Sequence, residues 1–155
     1  VQEFRDFLEK AVEIVDNICI GTDVLVGFPG ETGDLFAETL DAVRSMPLAY
    51  FHVFSYSDRD HNKSRLFDGK VDKPTKDARS ARLRDIGHRQ KQMYLQKNIG
   101  RVERVLFEQQ KDGFWTGLTD TFIRVRVQSD ADLANQLLPV RLESIYQQQM
   151  TGTLI

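Results

Sequence analysis

The chain has 155 residues, 41% of them hydrophobic and 28% charged, with a net charge of -2; that length and balance imply one soluble domain or two small ones. A charge so near zero exerts no global pull toward nucleic acid, so any RNA contact has to be local. The single cysteine, Cys19, excludes a disulfide framework and any multi-cysteine metal cluster built from this chain alone. Cys19 itself is expected at the buried end of a strand, as a small apolar residue. No apolar run reaches membrane-spanning length and no signal peptide is visible, so a cytoplasmic setting without membrane contact is expected.

In chain order, Val1, Phe4, Leu8, Ala11, Val12 and Val15 recur at helical spacing. Ile18 to Val26 reads as a buried strand. Gly27, Pro29 and Gly30 then form a turn in which backbone amides are free to face a ligand with no side chain in the way. Thr32 is placed to cap a helix that carries Leu35, Phe36, Leu40 and Val43 on one face and stops before Pro47. Ala49 to Phe54, aromatic and β-branched, is the next strand. Helix, strand, helix and strand with short links imply parallel strands joined by a right-handed crossover. Two strands are too few to bury both faces of a parallel sheet, so the sheet is expected to belong to something larger.

Ser55 to Pro74 is polar and irregular, and loops of that length are usually functional. Thr75 to Lys97 reads as a charged helix capped by Thr75, with Leu83, Ile86, Met93 and Tyr94 on its apolar side, ended by Asn98 to Gly100. From Arg101 the period becomes two. Val102, Val105 and Phe107 start a strand, Lys111-Asp112-Gly113 is a hairpin signal, and Trp115 to Leu118, Phe122 to Val127 and Leu138 to Ser144 follow as strands. Thr151-Gly152 reads as a last turn. Short strands at this density are the pattern of a small closed barrel. Ile123, Val125 and Val127 alternate with Arg124 and Arg126, giving one buried face and one that offers two cations. For the arginines a solvated strand face is the plainer reading, as a ligand-free strand-to-helix turn is for the glycines.

The stretch Asp23-Val24-Leu25-Val26-Gly27-Phe28-Pro29-Gly30-Glu31-Thr32, followed by Phe51-His52-Val53-Phe54-Ser55-Tyr56-Ser57 and Arg59, resembles the C-terminal half of the MiaB-type methylthiotransferases, within the radical S-adenosylmethionine superfamily. Gly117-Leu118-Thr119-Asp120 and Phe122-Ile123-Arg124-Val125 resemble their TRAM domain, a small RNA-binding β-barrel. His52-Val53-Phe54 is most similar to the subgroup that acts on threonylcarbamoyladenosine in tRNA. The resemblance implies an α/β then all-β chain. A truncated parallel (β/α) partial barrel over residues 1–74 leads to a linker helix over 75–100 and a small antiparallel, OB-like TRAM barrel over 101–155.

It also implies S-adenosylmethionine and two [4Fe-4S] clusters in the parent enzyme, one cluster cleaving the cofactor and the other supplying sulfur, with tRNA as partner. The cluster cysteines are not in this chain, so no catalytic or metal-binding residue is assigned in it and the chain alone is expected to be inactive. By the resemblance, Gly27, Phe28, Pro29, Gly30 and Glu31 lie beside the adenosyl group, and Val53, Phe54 and Ser55 add adenine contacts. Tyr56, Ser57 and Arg59 face the substrate, and Thr119, Arg124 and Arg126 face RNA. The chain departs from the family pattern at Asp60-His61-Asn62-Lys63, which leaves the role of that loop open. His52, His61 and His88 show no ligand spacing and are read as structural or solvent-facing.

Three other readings compete. One is a non-catalytic TRAM-type RNA-binding module, which the acidic balance disfavours. Another is a complete α/β enzyme using Glu31 with Asp23, which sit too far apart along the strand to cooperate. The third is a methylthiotransferase that acts on a ribosomal protein. An unpaired edge at Ile20 to Val26 would further make the N-terminal half a template for self-association.

Overall fold

The strand-and-helix order of the first half produces a small parallel sheet, with helices supplying its buried side. The computed structural model describes residues 1–60 and 62–155, which divide into two units, Val1–Gln90 and Lys91–Ile155. The first holds α1 (Gln2–Ile14), β1 (Gly21–Val26), α2 (Gly33–Ser45), β2 (Tyr50–Ser55), a short 3-10 turn (Lys63–Leu66) and the start of α3 (Lys73–Lys97).

β1 and β2 pair in parallel, Gly21 opposite Tyr50 through Val26 opposite Ser55. Side chains alternate between faces. Val24, Val26 and Phe51, with half-buried Val53, pack with Phe36, Leu40 and Val43 of α2 and Leu83 and Ile86 of α3 in one core. The other face carries Asp23, Leu25, His52 and Phe54, all exposed. Among the described residues the outer edge of β1 has no partner strand. Cys19 is half-buried just ahead of β1 rather than sealed at a strand end.

Two helices differ from expectation in detail. The spacing predicts a broad apolar face on α1, yet only Leu8 is buried, while Phe4, Val12 and Val15 are exposed. In α3 the cap is Asp72 rather than Thr75: the Thr75 N–H donates to Asp72 Oδ1 at 2.7 Å, and Pro74 sits in the first turn, where its missing donor is no loss. The hydrogen bonds from Thr75 hold the Asp72 carboxyl below the ordinary carboxylate range. Met93 is exposed on α3, and Leu95 takes the buried place.

The second unit is a closed barrel, β3 (Val102–Lys111), β4 (Phe114–Leu118), β5 (Arg124–Gln128), β6 (Leu137–Tyr146) and β7 (Gln149–Leu154). The order around it is β3-β4-β5-β7-β6, closed by β3 against β6. The barrel is not wholly antiparallel, because β5 and β7 pair in parallel. Five strands in this order suit a TRAM-like or OB-like barrel. Val105, Phe107, Trp115, Val125, Val127, Val140, Leu142 and Met150 fill it, with Leu95 from α3 in the same cluster. Thr151 and Gly152 are not a turn but part of β7, where Gly152 lies so near Arg141 O that a Cβ would come within 2.6 Å of it. The last turn is Gln147-Gln148, with φ of 48° and 63°.

Candidate functional site

β1 runs out at Val26, whose carbonyl accepts from Tyr56 N at 2.8 Å, so both strands deliver their carboxyl ends to one place. That is where ligands sit on parallel sheets. The turn beyond Val26 does not offer the expected row of free amides. Gly27 N donates to Glu31 Oε2 at 2.6 Å, Gly30 N to Gly69 O at 2.8 Å and Glu31 N to Phe28 O at 2.9 Å, and Pro29 has no N–H. Among the described residues the carbonyls of Gly27, Pro29 and Gly30 accept no hydrogen bond. A phosphate cradle needs convergent N–H groups, whereas among the described residues this turn leaves three carbonyls without a partner and only one N–H, that of Phe28. It suits a ligand that brings donors, such as an exocyclic amine.

Glu31 does not face outward. Arg79 Nη1 donates to Glu31 Oε2 at 2.6 Å and to Glu31 O at 3.0 Å, and both side chains are nearly buried, at 12% and 11% exposure. The Arg79 guanidinium lies 5.2 Å from the centre of the Phe36 ring. One turn earlier on α3, Lys76 donates to Tyr56 O at 3.1 Å, and beside Arg79 the buried Ser80 hydroxyl bonds that of Ser55 at 2.8 Å. The three residues sit at i, i+3 and i+4, on one helical face. They are missing from the reading of the sequence, where that spacing was the available signal.

The other expected residues scatter around this centre. Phe28 is partly exposed, its ring edge-on to Tyr56 at 5.3 Å and to Phe67 at 6.0 Å. Of the three expected contacts on β2, only Phe54 points to the open face, beside His52 at 6.5 Å between ring centres; Val53 packs on the core, and the Ser55 hydroxyl is bonded to that of Ser80. The Tyr56 hydroxyl donates to Asp58 Oδ1 at 3.0 Å. Lys70, 2.8 Å from Asp58, holds that carboxyl below the ordinary carboxylate range, with the Tyr56 bond adding to the effect. Ser57 and Arg59 are exposed. Asp60, Asn62 and Lys63 lead into the 3-10 turn, and His61 lies outside the described residues. Asp23 and Glu31 do not meet, since Glu31 is committed to Arg79 and Gly27.

On the barrel, Arg126 is sandwiched between aromatic rings, its guanidinium 3.8 Å from the centre of Phe114 and 4.7 Å from that of Tyr146. Phe114 and Tyr146 are absent from the expected site, and nothing local in the sequence links them to Arg126. Arg124 is exposed on the same strand. Thr119 is buried, with its hydroxyl accepting from Ile123 N at 3.0 Å, so it builds the β4–β5 turn. That turn projects Phe122, 75% exposed, at a φ of 59°.

A parallel strand pair ending in an acceptor-lined turn, followed by a five-stranded barrel, defines the architecture. No family model matches the chain. Over 99% of its length it is 31% identical to the tRNA-2-methylthio-N(6)-dimethylallyladenosine synthase of Finegoldia magna, covering 34% of that protein. It is 33% identical over 97% of its length to the synthase of the same name in Syntrophobacter fumaroxidans. The threonylcarbamoyladenosine tRNA methylthiotransferase MtaB of Aquifex aeolicus is 33% identical over 68% of the chain. The chain is therefore a homologue of the MiaB-type tRNA methylthiotransferases over most of its length, and it spans about a third of the length of the curated relatives it matches.

Proposed function

We propose that this chain serves as the C-terminal third of a radical S-adenosylmethionine methylthiotransferase that adds a methylthio group to a modified adenosine beside the tRNA anticodon. The observation that carries the reading is the acceptor-lined turn at the joint ends of β1 and β2, in a chain whose relatives bear that activity in their names. In this reading residues 1–74 complete a parallel (β/α) partial barrel, the helix over 75–100 is a linker, and residues 101–155 are the TRAM-like barrel. The bare sheet face and the unpaired β1 edge are then surfaces that the rest of the protein covers.

The residues present suit an adenosyl group. The carbonyls of Gly27, Pro29 and Gly30 are free to accept from an amine, and Phe28 within the turn offers apolar ring surface. The cofactor, bound with an iron–sulfur cluster, supplies the radical that activates the adenine ring of the substrate. Among the described residues no group of three or more His, Cys, Asp or Glu could hold a metal ion, so the reading takes the cluster ligands from outside this chain. Both dimethylallyl- and threonylcarbamoyladenosine enzymes are among the relatives, and the adenosine substituent is read no more finely than that.

The barrel's part is to hold RNA. Arg126, stacked between Phe114 and Tyr146, presents its guanidinium edge with little freedom left to lose, and Arg124 lies two positions away on the same strand face. The test is the salt dependence of binding to an anticodon stem-loop. Arg126→Ala should weaken binding and reduce the slope of log K against log salt by about 0.7–0.9, the loss of one phosphate contact. A slope unchanged in Arg126→Ala and in Arg124→Ala would mean that this strand is a solvated face.

A further inference from the structure

We propose that Arg79 is a positioning residue for the turn from Gly27 to Glu31, deciding whether that turn presents acceptors or donors. The inference rests on the reading of the turn as a cofactor site and adds a residue to it from a helix far along the chain. Three observations carry it. Arg79 reaches two acceptors of Glu31, the carboxylate at 2.6 Å and the backbone carbonyl at 3.0 Å. The same Oε2 accepts the Gly27 N–H at 2.6 Å. The guanidinium is backed by the Phe36 ring, which in turn belongs to the core under the turn.

Held this way, the Glu31 carboxylate faces inward, its charge balanced, and it withdraws the Gly27 N–H from the surface. The groups left without a partner among the described residues are then the carbonyls of Gly27, Pro29 and Gly30 and the single N–H of Phe28. Without the guanidinium the carboxylate would be nearly buried and unpaired, an arrangement proteins avoid. It would turn toward water, release the Gly27 N–H and put a negative charge among the acceptors. Both bonds come from one nitrogen, Nη1, so lysine would lose not the number of donors but the flat guanidinium held against the Phe36 ring. Lys76 and Ser80 brace the neighbouring strand end through Tyr56 O and the Ser55 hydroxyl, so one face of α3 sets both strand ends.

The experiment is amide hydrogen exchange followed by NMR on the 155-residue chain. Arg79→Met should speed exchange at Gly27 ten-fold or more while Val24 and Val53 in the strands keep their protection. Arg79→Lys should fall between it and the native chain. Glu31→Gln, which keeps an acceptor for the Gly27 N–H, should leave that amide protected. The exchanged pair Glu31→Arg with Arg79→Glu keeps opposite charges but offers Gly27 no acceptor, so it should not restore protection. Restoration by the exchanged pair, or native exchange at Gly27 in Arg79→Met, would reduce the pair to a salt bridge without a positioning role. If Arg79→Met does not fold, the lysine and glutamine variants carry the test. Titration with S-adenosylmethionine adds the functional arm: shifts at Phe28 and Gly30 in the native chain, with affinity at least ten-fold weaker in Arg79→Met. The exchange pattern as expected but without these shifts would overturn the cofactor reading alone, whereas native exchange at Gly27 in Arg79→Met would overturn the positioning role.

Discussion

Gly117→Ala should unfold the barrel at temperatures where the native chain holds it. Gly117 is buried in β4 between Phe107 of β3 and Val125 of β5. A Cβ there would fall 2.2 Å from Leu106 O and 2.8 Å from Val105 Cγ1. Neither atom is the end of a flexible side chain, and in a closed ring β3 cannot step back without breaking its ladder to β6. Overpacking a core usually costs 1–3 kcal/mol, and more where the backbone itself must move, so about 3 kcal/mol or more is expected. A unit this small has a total stability near the low end of about 5–15 kcal/mol, so the loss takes a large part of it. Gly113→Ala is the control: its φ is 76°, and nothing stands within 4 Å of the added methyl, so only the backbone strain of about 1–2 kcal/mol applies. Thermal melts of the two variants compare them directly. A Gly117→Ala melt as mild as that of Gly113→Ala would show that the barrel opens more easily than its ladders imply.

Gly27→Ala should cost the first unit about 2–3 kcal/mol, part backbone strain and part collision. Its φ is 74°, and a Cβ would come 2.2 Å from Lys76 Cγ and 2.4 Å from Cδ. Lys76 can escape only by giving up its bond to Tyr56 O. Gly30→Ala separates the two parts, because its φ is 88° but nothing lies within 4 Å of the added methyl. Adding Lys76→Ala to Gly27→Ala should recover the collision part, since the two colliding atoms, Lys76 Cγ and Cδ, are then gone. Denaturant melts giving Gly27→Ala and Gly30→Ala the same stability would mean that Lys76 does not brace the turn.

The parts of the fold that were legible in the sequence depend on neighbours along the chain. Thr32 caps α2 as expected, its Oγ1 accepting from Leu35 N at 3.2 Å. Phe36, Leu40 and Val43 are buried, though Leu35, expected on the same face, is exposed, and Ile123, Val125 and Val127 line the barrel while Arg124 stays outside. The missed features depend on distant partners. The turn's amides are taken up by Gly69 and Glu31, and Glu31 is set by Arg79 from α3, which no local pattern announces. The Arg126 sandwich needs strands β4, β5 and β6 to close before its rings meet. Gln147-Gln148 escaped because both residues adopt positive φ without being Gly, Asn or Asp, the residues that usually mark such a turn. Thr151-Gly152 drew the turn assignment instead, since Gly there answers a close approach within the barrel rather than a bend.

Nucleoside mass spectrometry of tRNA from cells with the coding segment disrupted tests the proposed methylthio transfer to tRNA. A 2-methylthio-adenosine derivative should disappear, and its precursor, carrying the same substituent without the methylthio group, should accumulate. Unchanged tRNA, with a methylthio group lost from a ribosomal protein instead, would contradict it.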